Sequence, residues 1–211
     1  MIKYSISISI FICSIFMLNA QNNTDAKQLM DGWVQTVQSR GMRASFIIKS
    51  SQENNVTSQE VSGDIVMKGN RLYIDTEEFS LWFNGLTQWV YFKEAGEVNI
   101  TTPTKEELAQ TNPMTIILDY ASKFTLKMIN HADAHHYVVE MTPKNKPEHF
   151  DKLIVRFYKK DKMLQSIKLQ DKTPATHEII FTNFQQNASI STEMFNFDAS
   201  QYEGVILNDL R

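Results

Sequence analysis

Hydrophobic residues recur every three or four positions near the start of the chain, which is the spacing of an amphipathic helix. This pattern occupies NTDAKQLMDGWVQTVQSRG, residues 23–41. Its apolar positions are Ala26, Leu29, Met30, Trp33, Val34 and Val37. Asn23 or Thr24 is suited to cap the start of the helix and Gly41 to end it. The sequence therefore predicts one helix ahead of the rest of the fold.

After this helix the pattern changes to short runs of strand-forming residues separated by turn residues. The first set of strands is predicted at about 43–51, 57–67, 71–78, 79–83, 86–93 and 96–101. A second set is predicted at about 124–130, 136–142, 151–159, 163–170, 176–184 and 192–197. Between the two sets, residues 104–121 predict a helical zone in which Asn112 and Pro113 form the cap and first turn. About eleven or twelve strands that pair mostly with sequence neighbours must curl, so we expect one curved antiparallel sheet in one domain, residues 21–211.

The segment SLWFNGLTQWVYFKE predicts a hairpin with apolar side chains on both faces. Asn84-Gly85 predicts a two-residue type I′ loop in which Phe83 faces Leu86. One face then carries Phe79, Leu81, Phe83, Leu86 and Val90, and the other carries Trp82, Trp89 and Tyr91. An antiparallel sheet with one face in water has polar residues at every second position. We therefore expect both faces of this hairpin to be covered.

The first residues resemble a secretory signal peptide, with Lys3 followed by an apolar run from Ile8 to Leu18. We expect cleavage after Ala20, which makes residues 1–20 a signal peptide; an uncleaved anchor is the alternative. Cys13, the only cysteine, follows Ile12, whereas a bacterial lipidation signal normally has a small residue there. We therefore expect no acylation of Cys13 and a secreted protein without disulfides.

Composition and motifs mainly exclude classes of function. The chain has 21 basic and 24 acidic residues and no basic run, which argues against nucleic acid as a partner. No glycine-rich phosphate loop and no Gly-x-Ser-x-Gly motif occurs, so we expect neither an enzyme nor a cofactor. His131, Asp133, His135 and His136 lie between two predicted strands, where a polar loop explains them, and no metal is expected.

Large apolar side chains remain, with 13 Phe, 10 Met, 7 Tyr and 3 Trp. An ordinary core explains them, and so does a lipid cavity, because flexible Met and aromatic side chains suit an adaptable lining. Composition alone leaves both interpretations open.

Seven segments in order resemble the LolA family of periplasmic lipoprotein carriers. After the N-terminal helix they are ASFIIKSS, GDIVMKGNRLYID, WFNGLTQWVYF, TNPMTIIL, YVVEMTPKNK, FDKLIVRFYKKDKMLQSIKLQD and FNFDASQYEGVILNDLR. The resemblance implies a mainly β fold with helices (α+β), an unclosed β-barrel of about eleven strands. In it, an N-terminal helix and an inserted helical lid cover the concave side.

The resemblance also implies a function and partners. A chaperone of this family shelters the acyl chains of a lipoprotein between an inner-membrane ABC transporter and an outer-membrane acceptor, in the periplasm and as a monomer. Transfer of a chain of about sixteen carbons out of a membrane needs about 12 kcal/mol of replacement burial. A half-barrel with a movable lid is able to supply that burial, whereas a surface groove is not.

Alternation and family analogy together give the candidate cavity residues, which are Phe46, Ile48, Met67, Tyr73, Trp82, Trp89, Met114, Ile117 and Leu118. In relatives an arginine hydrogen-bonds to the lid, and that position falls on Gly69 here, flanked by Lys68 and Arg71. Either side chain is a candidate latch, and each also fits a surface charge beside a turn.

Other functions stay open at this point: a relative that carries another lipid, a periplasmic adaptor without lipid cargo, or a lipid hydrolase. A hydrolase requires a nucleophile beside a base, for which the histidines His135, His136, His149 and His177 are the candidates.

Overall fold

The structure, a computed structural model, describes residues 24–52, 55–104, 107–108, 113–129, 133–145, 150–171, 176–186 and 189–211. The predicted signal peptide and the predicted cap at Asn23 lie outside these residues. Of the helices in this described part, none has the length and apolar character needed to cross a membrane.

Helix α1 occupies residues 24–39. Six strands follow it: β1 Met42–Gln52, β2 Asn55–Lys68, β3 Arg71–Thr76, β4 Phe79–Phe83, β5 Gln88–Phe92 and β6 Glu97–Thr101. Residues 107–108 are helical, and within the described residues two short helices follow, α2 Pro113–Leu118 and α3 Tyr120–Lys123. The second set of strands is β7 Phe124–Met128, β8 His136–Pro143, β9 Phe150–Tyr158, β10 Leu164–Asp171 and β11 Thr176–Gln186. The chain ends with 3-10 turns at Thr192–Phe195 and Ala199–Gln201 and with β12 Ile206–Asp209.

The twelve strands in the described part of the chain form one sheet in the order β12-β6-β5-β4-β3-β2-β1-β11-β10-β9-β8-β7. The pairing of β1 with β11 joins the two meanders, and β12 and β7 are left as the two edges. The predicted α+β class, with a largely antiparallel sheet that does not close into a barrel, is confirmed.

Two details at the C-terminus differ from the sequence prediction. Residues 192–197, predicted as a strand, contain a 3-10 turn, which Ser191 caps by accepting a hydrogen bond from the Glu193 amide. The last strand is β12, and it pairs with β6 in parallel, with Ile206 opposite Glu97. A parallel partner from the distant end of the chain leaves no local pattern in the sequence.

Helix α1 folds as its apolar spacing predicts. Its buried positions pack on one face of the sheet, which we call the inner face; they are Ala26, Leu29, Met30, Trp33 and Val37. Gly41 ends the helix with φ +80°, and its amide donates to the carbonyls of Thr36 and Val37. Glycine adopts this left-handed conformation without steric cost, as the predicted C-terminal cap requires.

The β4–β5 hairpin has the predicted faces but not the predicted loop. Trp82 pairs with Trp89 and Phe83 with Gln88, so the loop spans four residues and not two. The Asn84 side chain closes this loop because its Oδ1 accepts from the amides of Leu86 and Thr87 at 3.1 and 2.9 Å. The shift amounts to two positions, and an even shift leaves the side chains of the two strands on their predicted faces. The predicted pairing of Phe83 with Leu86 was wrong, because Leu86 lies in the longer loop, where it is 67% exposed.

Candidate lipid-binding site

Apolar side chains run across the inner face in register. One row crosses the first meander through Met42, Met67, Leu72 and Phe83, which are consecutive cross-strand partners. A second row crosses the other meander through Ile179, Ile167, Val155, Val139 and Met128. Cross-strand neighbours of this kind pack directly on one another. The result is a continuous apolar layer over most of the sheet.

Helix α1 covers this layer. Met30 and Val37 are at most 1% exposed within the same apolar cluster. The Trp33 ring meets the Phe157 ring edge to face, with centroids 6.4 Å apart. Full burial of such side chains contributes about 1.5–3 kcal/mol each. The helix is therefore held to the sheet mainly by apolar contact.

The helices α2 and α3, which we call the lid, cover another part of the layer. Met114, Ile117 and Tyr120 are buried in the cluster that α1 and the inner face share. The Tyr120 hydroxyl donates to Asp31 Oδ1 at 2.5 Å, and Lys27 Nζ on α1 donates to Asp31 Oδ2 at 2.5 Å. The bond of Tyr120 to Asp31 ties the lid to α1, although the two residues are 89 positions apart in the sequence.

The electrostatics of this contact favour the closed arrangement at neutral pH. The Lys27 hydrogen bond, followed by the Tyr120 hydrogen bond, lowers the pKa of Asp31 from its usual value. Burial, followed by the Asp31 hydrogen bond, raises the pKa of Tyr120. The carboxylate and the neutral phenol are thus both favoured, and they form the charge-assisted bond.

The structure brings six of the nine predicted cavity residues to the inner cluster. Phe46, Met67, Met114 and Ile117 are buried in it, and Ile48 and Leu118 pack against it half-buried. The other three, Tyr73, Trp82 and Trp89, are consecutive cross-strand partners on the opposite face, which we call the outer face.

The outer face has its own cover. Trp82 packs edge to face on Phe197 and Tyr202 of the C-terminal segment, with centroids 5.3 and 6.1 Å apart. Nearby, Phe195 is fully buried with Val66. The expectation that both faces of the hairpin are covered is confirmed, with the C-terminal segment as the outer cover. The strand pattern of the sequence does not predict this role, although the aromatic residues of FNFDASQY are a signal for it.

The two candidate latch residues lie beside a turn of the sheet. Lys68 Nζ donates to the Ile190 carbonyl at 3.1 Å, and Arg71 Nε donates to the Asn84 carbonyl at 3.3 Å. Both contacts hold neighbouring loops and not the lid. Within the described residues, the side-chain bond from the lid to α1 is that of Tyr120 with Asp31. The sequence does not predict this pair, since no local pattern links two residues 89 positions apart.

The histidine-rich loop is organised by one carboxylate. Asp133 accepts from the His135 amide at 2.8 Å and lies 2.5 Å from His136 Nδ1, and these contacts lower its pKa. His131 and His149 lie outside the described residues. Across the part of the chain that the structure describes, no three His, Cys, Asp or Glu side chains gather into a metal site.

His177 lies beside a hydroxyl. Its Nδ1 is 2.9 Å from Ser50 Oγ, and the two residues are direct cross-strand partners. This pair has the elements of a base and a nucleophile, but its position on exposed strand ends is also that of an ordinary surface contact.

Comparison with known proteins places the chain in a family. A family model described as "Outer membrane lipoprotein carrier protein LolA" matches residues 15–172. No curated protein matches the sequence.

Solved structures resemble the chain at low sequence identity. An uncharacterized conserved protein from Thermus thermophilus is 7% identical with a TM-score of 0.57, over 88% of this chain and 99% of that one. A LolA superfamily protein from Nitrosomonas europaea is 9% identical with a TM-score of 0.45, over 82% and 98%. A putative outer membrane lipoprotein-sorting protein domain from Vibrio parahaemolyticus is 10% identical with a TM-score of 0.43, over 79% and 94%. The family model covers well over half of the chain, and the chain therefore belongs to the LolA family of outer membrane lipoprotein carrier proteins.

Proposed function

We propose that this protein is a periplasmic carrier that shelters the acyl chains of lipoproteins and moves them from the inner to the outer membrane. The observation that carries the proposal is the apolar layer of the inner face, which lies beneath α1 and a lid that the bond of Tyr120 to Asp31 ties to α1. Family membership supports the same function. On this proposal the protein binds and releases cargo and has no catalytic role.

A carrier of this kind must open its apolar layer and close it again. Acyl chains replace part of the contact between α1, the lid and the inner face, so the sheet exchanges one apolar partner for another. Methionines such as Met67 and Met114 in this cluster suit the exchange, because their flexible side chains repack at low cost. The proposed contacts are Phe46, Ile48, Met67, Met114, Ile117 and Leu118.

The proposed route follows from the sequence and the family. Residues 1–20 act as a cleaved signal peptide that directs the chain across the inner membrane. An inner-membrane lipoprotein-releasing ABC transporter then loads the cargo, and an outer-membrane acceptor receives it. The carrier acts as a monomer.

Native mass spectrometry of the protein recovered from the periplasm of its host tests this proposal. We expect a bound acylated lipoprotein that leaves on denaturation. If a different acylated molecule is bound, the protein is still a carrier but its cargo is not a lipoprotein. Reproducible emptiness, together with no uptake of a fluorescent fatty-acid probe, contradicts the proposal.

Two variants localise the binding. Leu118→Asp places a charge on the half-buried lid position, whereas Leu86→Asp places it on the hairpin loop, where Leu86 is 67% exposed. We expect Leu118→Asp to lose cargo and Leu86→Asp to keep it, with both variants folded by circular dichroism. If both variants lose the cargo equally, the cargo does not bind under the lid.

A further inference from the structure

Strand β12 has one open edge. It pairs with β6 on one side, and no strand of the described part lies on its other side. The Ile206 amide donates to the Gly96 carbonyl at 3.0 Å, so the main-chain groups of Ile206 face β6. Because these groups alternate in direction along a strand, the N–H and C=O groups of Leu207 and Asp209 face the open side. A strand of another chain is able to pair with them.

The same segment exposes apolar side chains on both of its faces. Ile206, Leu207 and Leu210 are 54%, 50% and 63% exposed, and they are three of the six large apolar side chains that are exposed in the described part. Ile206 and Leu210 lie on the inner side of the sheet and Leu207 on the outer side. A polar strip on β6 separates the inner pair from the apolar layer under α1. Its residues are Glu97, Asn99 and Thr101.

The opposite edge of the sheet, β7, is protected. Lys127 is exposed on it, whereas Phe124 and Met128 are buried in the inner cluster. Lysine, proline and bulges are the usual means by which an edge strand avoids pairing with another chain. Strand β12 has the sequence ILND, and its register with β6 is unbroken. It therefore lacks all three forms of protection.

Uncompensated negative charge lies beside the start of β12. A cleft of about 930 Å³ borders β6 there. Four glutamates line it without an ion-pair partner among the described residues, and they are Glu77, Glu78, Glu94 and Glu97. Glu97 is also the direct neighbour of Ile206 across the two strands. A cation at this end of an added strand complements the charge of the cleft.

A second copy of this chain fits the edge less well than a different partner. A stable interface engages about 20–30 residues on each side. Self-pairing of β12 engages a strand of 4 residues. In such a pair Arg211 lies on the outer side of the sheet, where Asp209 already binds it, and the inner glutamates still lack a cation.

We propose that β12 binds an extended segment of a partner protein, which joins the sheet as a strand antiparallel to β12. The segment has apolar residues opposite Ile206, Leu207 and Leu210, and a lysine or arginine at its C-terminal end, near Glu97. Main-chain bonds to Leu207 and Asp209 supply the pairing, and the side chains supply the specificity. The proposed carrier function does not depend on this surface, because the polar strip of β6 separates it from the inner apolar layer.

A synthetic peptide with blocked ends, Ile-Thr-Thr-Val-Ile-Thr-Lys, tests this surface in NMR measurements of amide exchange with solvent. At a peptide concentration of about ten times the Kd, we expect exchange at the Leu207 and Asp209 amides to slow about ten-fold. The Ile206 amide already binds β6 and should not change. Absence of binding, or binding without slower exchange at these two amides, overturns the proposal.

N-methylation of the peptide separates main-chain pairing from side-chain contact. The amide of its valine faces Leu207, whereas the amide of the next isoleucine faces solvent. We expect methylation of the valine to weaken binding at least about ten-fold, in keeping with loss of one bond and a steric block, and methylation of the isoleucine to have little effect. Equal loss in the two peptides overturns strand addition.

A proline in β12 tests the edge from the side of the protein. Leu207→Pro removes an outward-facing donor and leaves the bonds to β6 in place, as proline does on an edge strand. We expect it to abolish peptide binding while the Ile206 amide stays protected, and to leave cargo binding unchanged. Peptide binding as tight as that of the unchanged protein overturns the proposal.

A charge variant tests the basic end of the segment. Glu97→Gln keeps an acceptor for the Asn208 side chain and removes the charge. We expect it to weaken peptide binding about three-fold, as for an exposed ion pair. Glu203→Gln removes an exposed charge outside the cleft and should change nothing. Equal affinity of Glu97→Gln and the unchanged protein overturns the assignment of the basic end.

Sedimentation of the protein without peptide distinguishes a partner segment from a second copy. We expect a monomer, which supports a partner segment. A dimer that Leu207→Pro dissociates overturns the partner segment and makes β12 an interface between two copies.

Discussion

At the scale of single residues, Gly63 is placed where the sheet leaves no room for a side chain. A Cβ atom there meets the Asp75 carbonyl oxygen at 2.2 Å and the Phe46 ring at 3.0 Å. The carbonyl belongs to the backbone of the neighbouring strand and does not move alone. Gly63 therefore allows Phe46 to lie across it on the inner face, where Phe46 is 5% exposed.

Alanine at two glycines is expected to have opposite effects on stability. Gly63→Ala overpacks the inner face, so we expect the free energy of unfolding to fall by about 1–3 kcal/mol. Gly32→Ala adds a methyl group in open space on α1, and we expect a gain of about 0.5–1 kcal/mol. Urea unfolding measures both. A loss at Gly32 equal to that at Gly63 contradicts this assignment.

The charge of Asp31 makes the lid sensitive to acid. Hydrogen bonds from Lys27 and Tyr120 hold the pKa of Asp31 below its usual value near 3.8. A group with a lowered pKa contributes its stabilisation above the unfolded-state pKa and loses it as the pH falls through the folded-state pKa. We expect the release of a fatty-acid probe to be independent of pH between about 5 and 8 and to accelerate below about pH 4. Stopped-flow release measures this, and Asp31→Asn should remove the acid-dependent step.

At the scale of elements, the bond of Tyr120 to Asp31 adds to the apolar contact that holds the lid. Tyr120→Phe removes the hydroxyl and keeps the ring in the apolar cluster. We expect faster amide hydrogen exchange in Pro113–Lys123, by about the factor that corresponds to 1 kcal/mol, because Asp31 is half-exposed and water competes for the bond. The free energy of global unfolding should change less, since the apolar cluster is retained.

The matched control for the lid is Tyr158→Phe. Tyr158 lies on β9, packs against His136 with the rings tilted and their centroids 5.1 Å apart, and has no part in the lid. We expect its variant to leave exchange in α2 and α3 unchanged. Equal acceleration by both substitutions means that loss of any tyrosine hydroxyl loosens the fold, and that the bond to Asp31 is not specific.

The elements that the sequence predicted correctly are those whose signals are local. The stripe on α1 and the cap at Gly41 are confirmed, and so are the faces of the β4–β5 hairpin. The predicted hairpin loop was wrong because Asn84 uses its side chain, and not a left-handed backbone, to close a longer turn. Local patterns fix which face a residue occupies more securely than they fix its partner.

Contacts between distant parts of the chain were the ones that the sequence did not predict. The parallel pairing of β12 with β6, the outer cover of Trp82 by Tyr202, and the bond of Tyr120 to Asp31 each join segments about ninety or more positions apart. The family resemblance implies a latch at Lys68 or Arg71 instead, and both side chains bond to neighbouring loops of the sheet.

At the scale of the whole molecule, the two apolar clusters on opposite faces of the sheet have different tasks. The C-terminal segment covers a small cluster on the outer face, where Phe195 is fully buried, and α1 covers the inner face, where Met30 is fully buried. Only the inner cover has to yield to cargo in a carrier. A substitution that removes packing contacts under either cover should therefore lower the stability of the protein. Only a substitution under the inner cover should also change the binding of acyl chains.

Met30→Ala and Phe195→Ala test this difference. Each leaves a cavity in a buried cluster, so we expect the free energy of unfolding to fall by about 2–5 kcal/mol in both. Met30→Ala also removes contact that acyl chains must displace, and we expect it to bind a fatty-acid probe about ten-fold more tightly. Phe195→Ala should bind the probe as the unchanged protein does. Fluorescence titration measures the affinity for the probe, and urea unfolding measures the free energy of unfolding. If Met30→Ala binds the probe more weakly than the unchanged protein, acyl chains do not replace the contacts of α1.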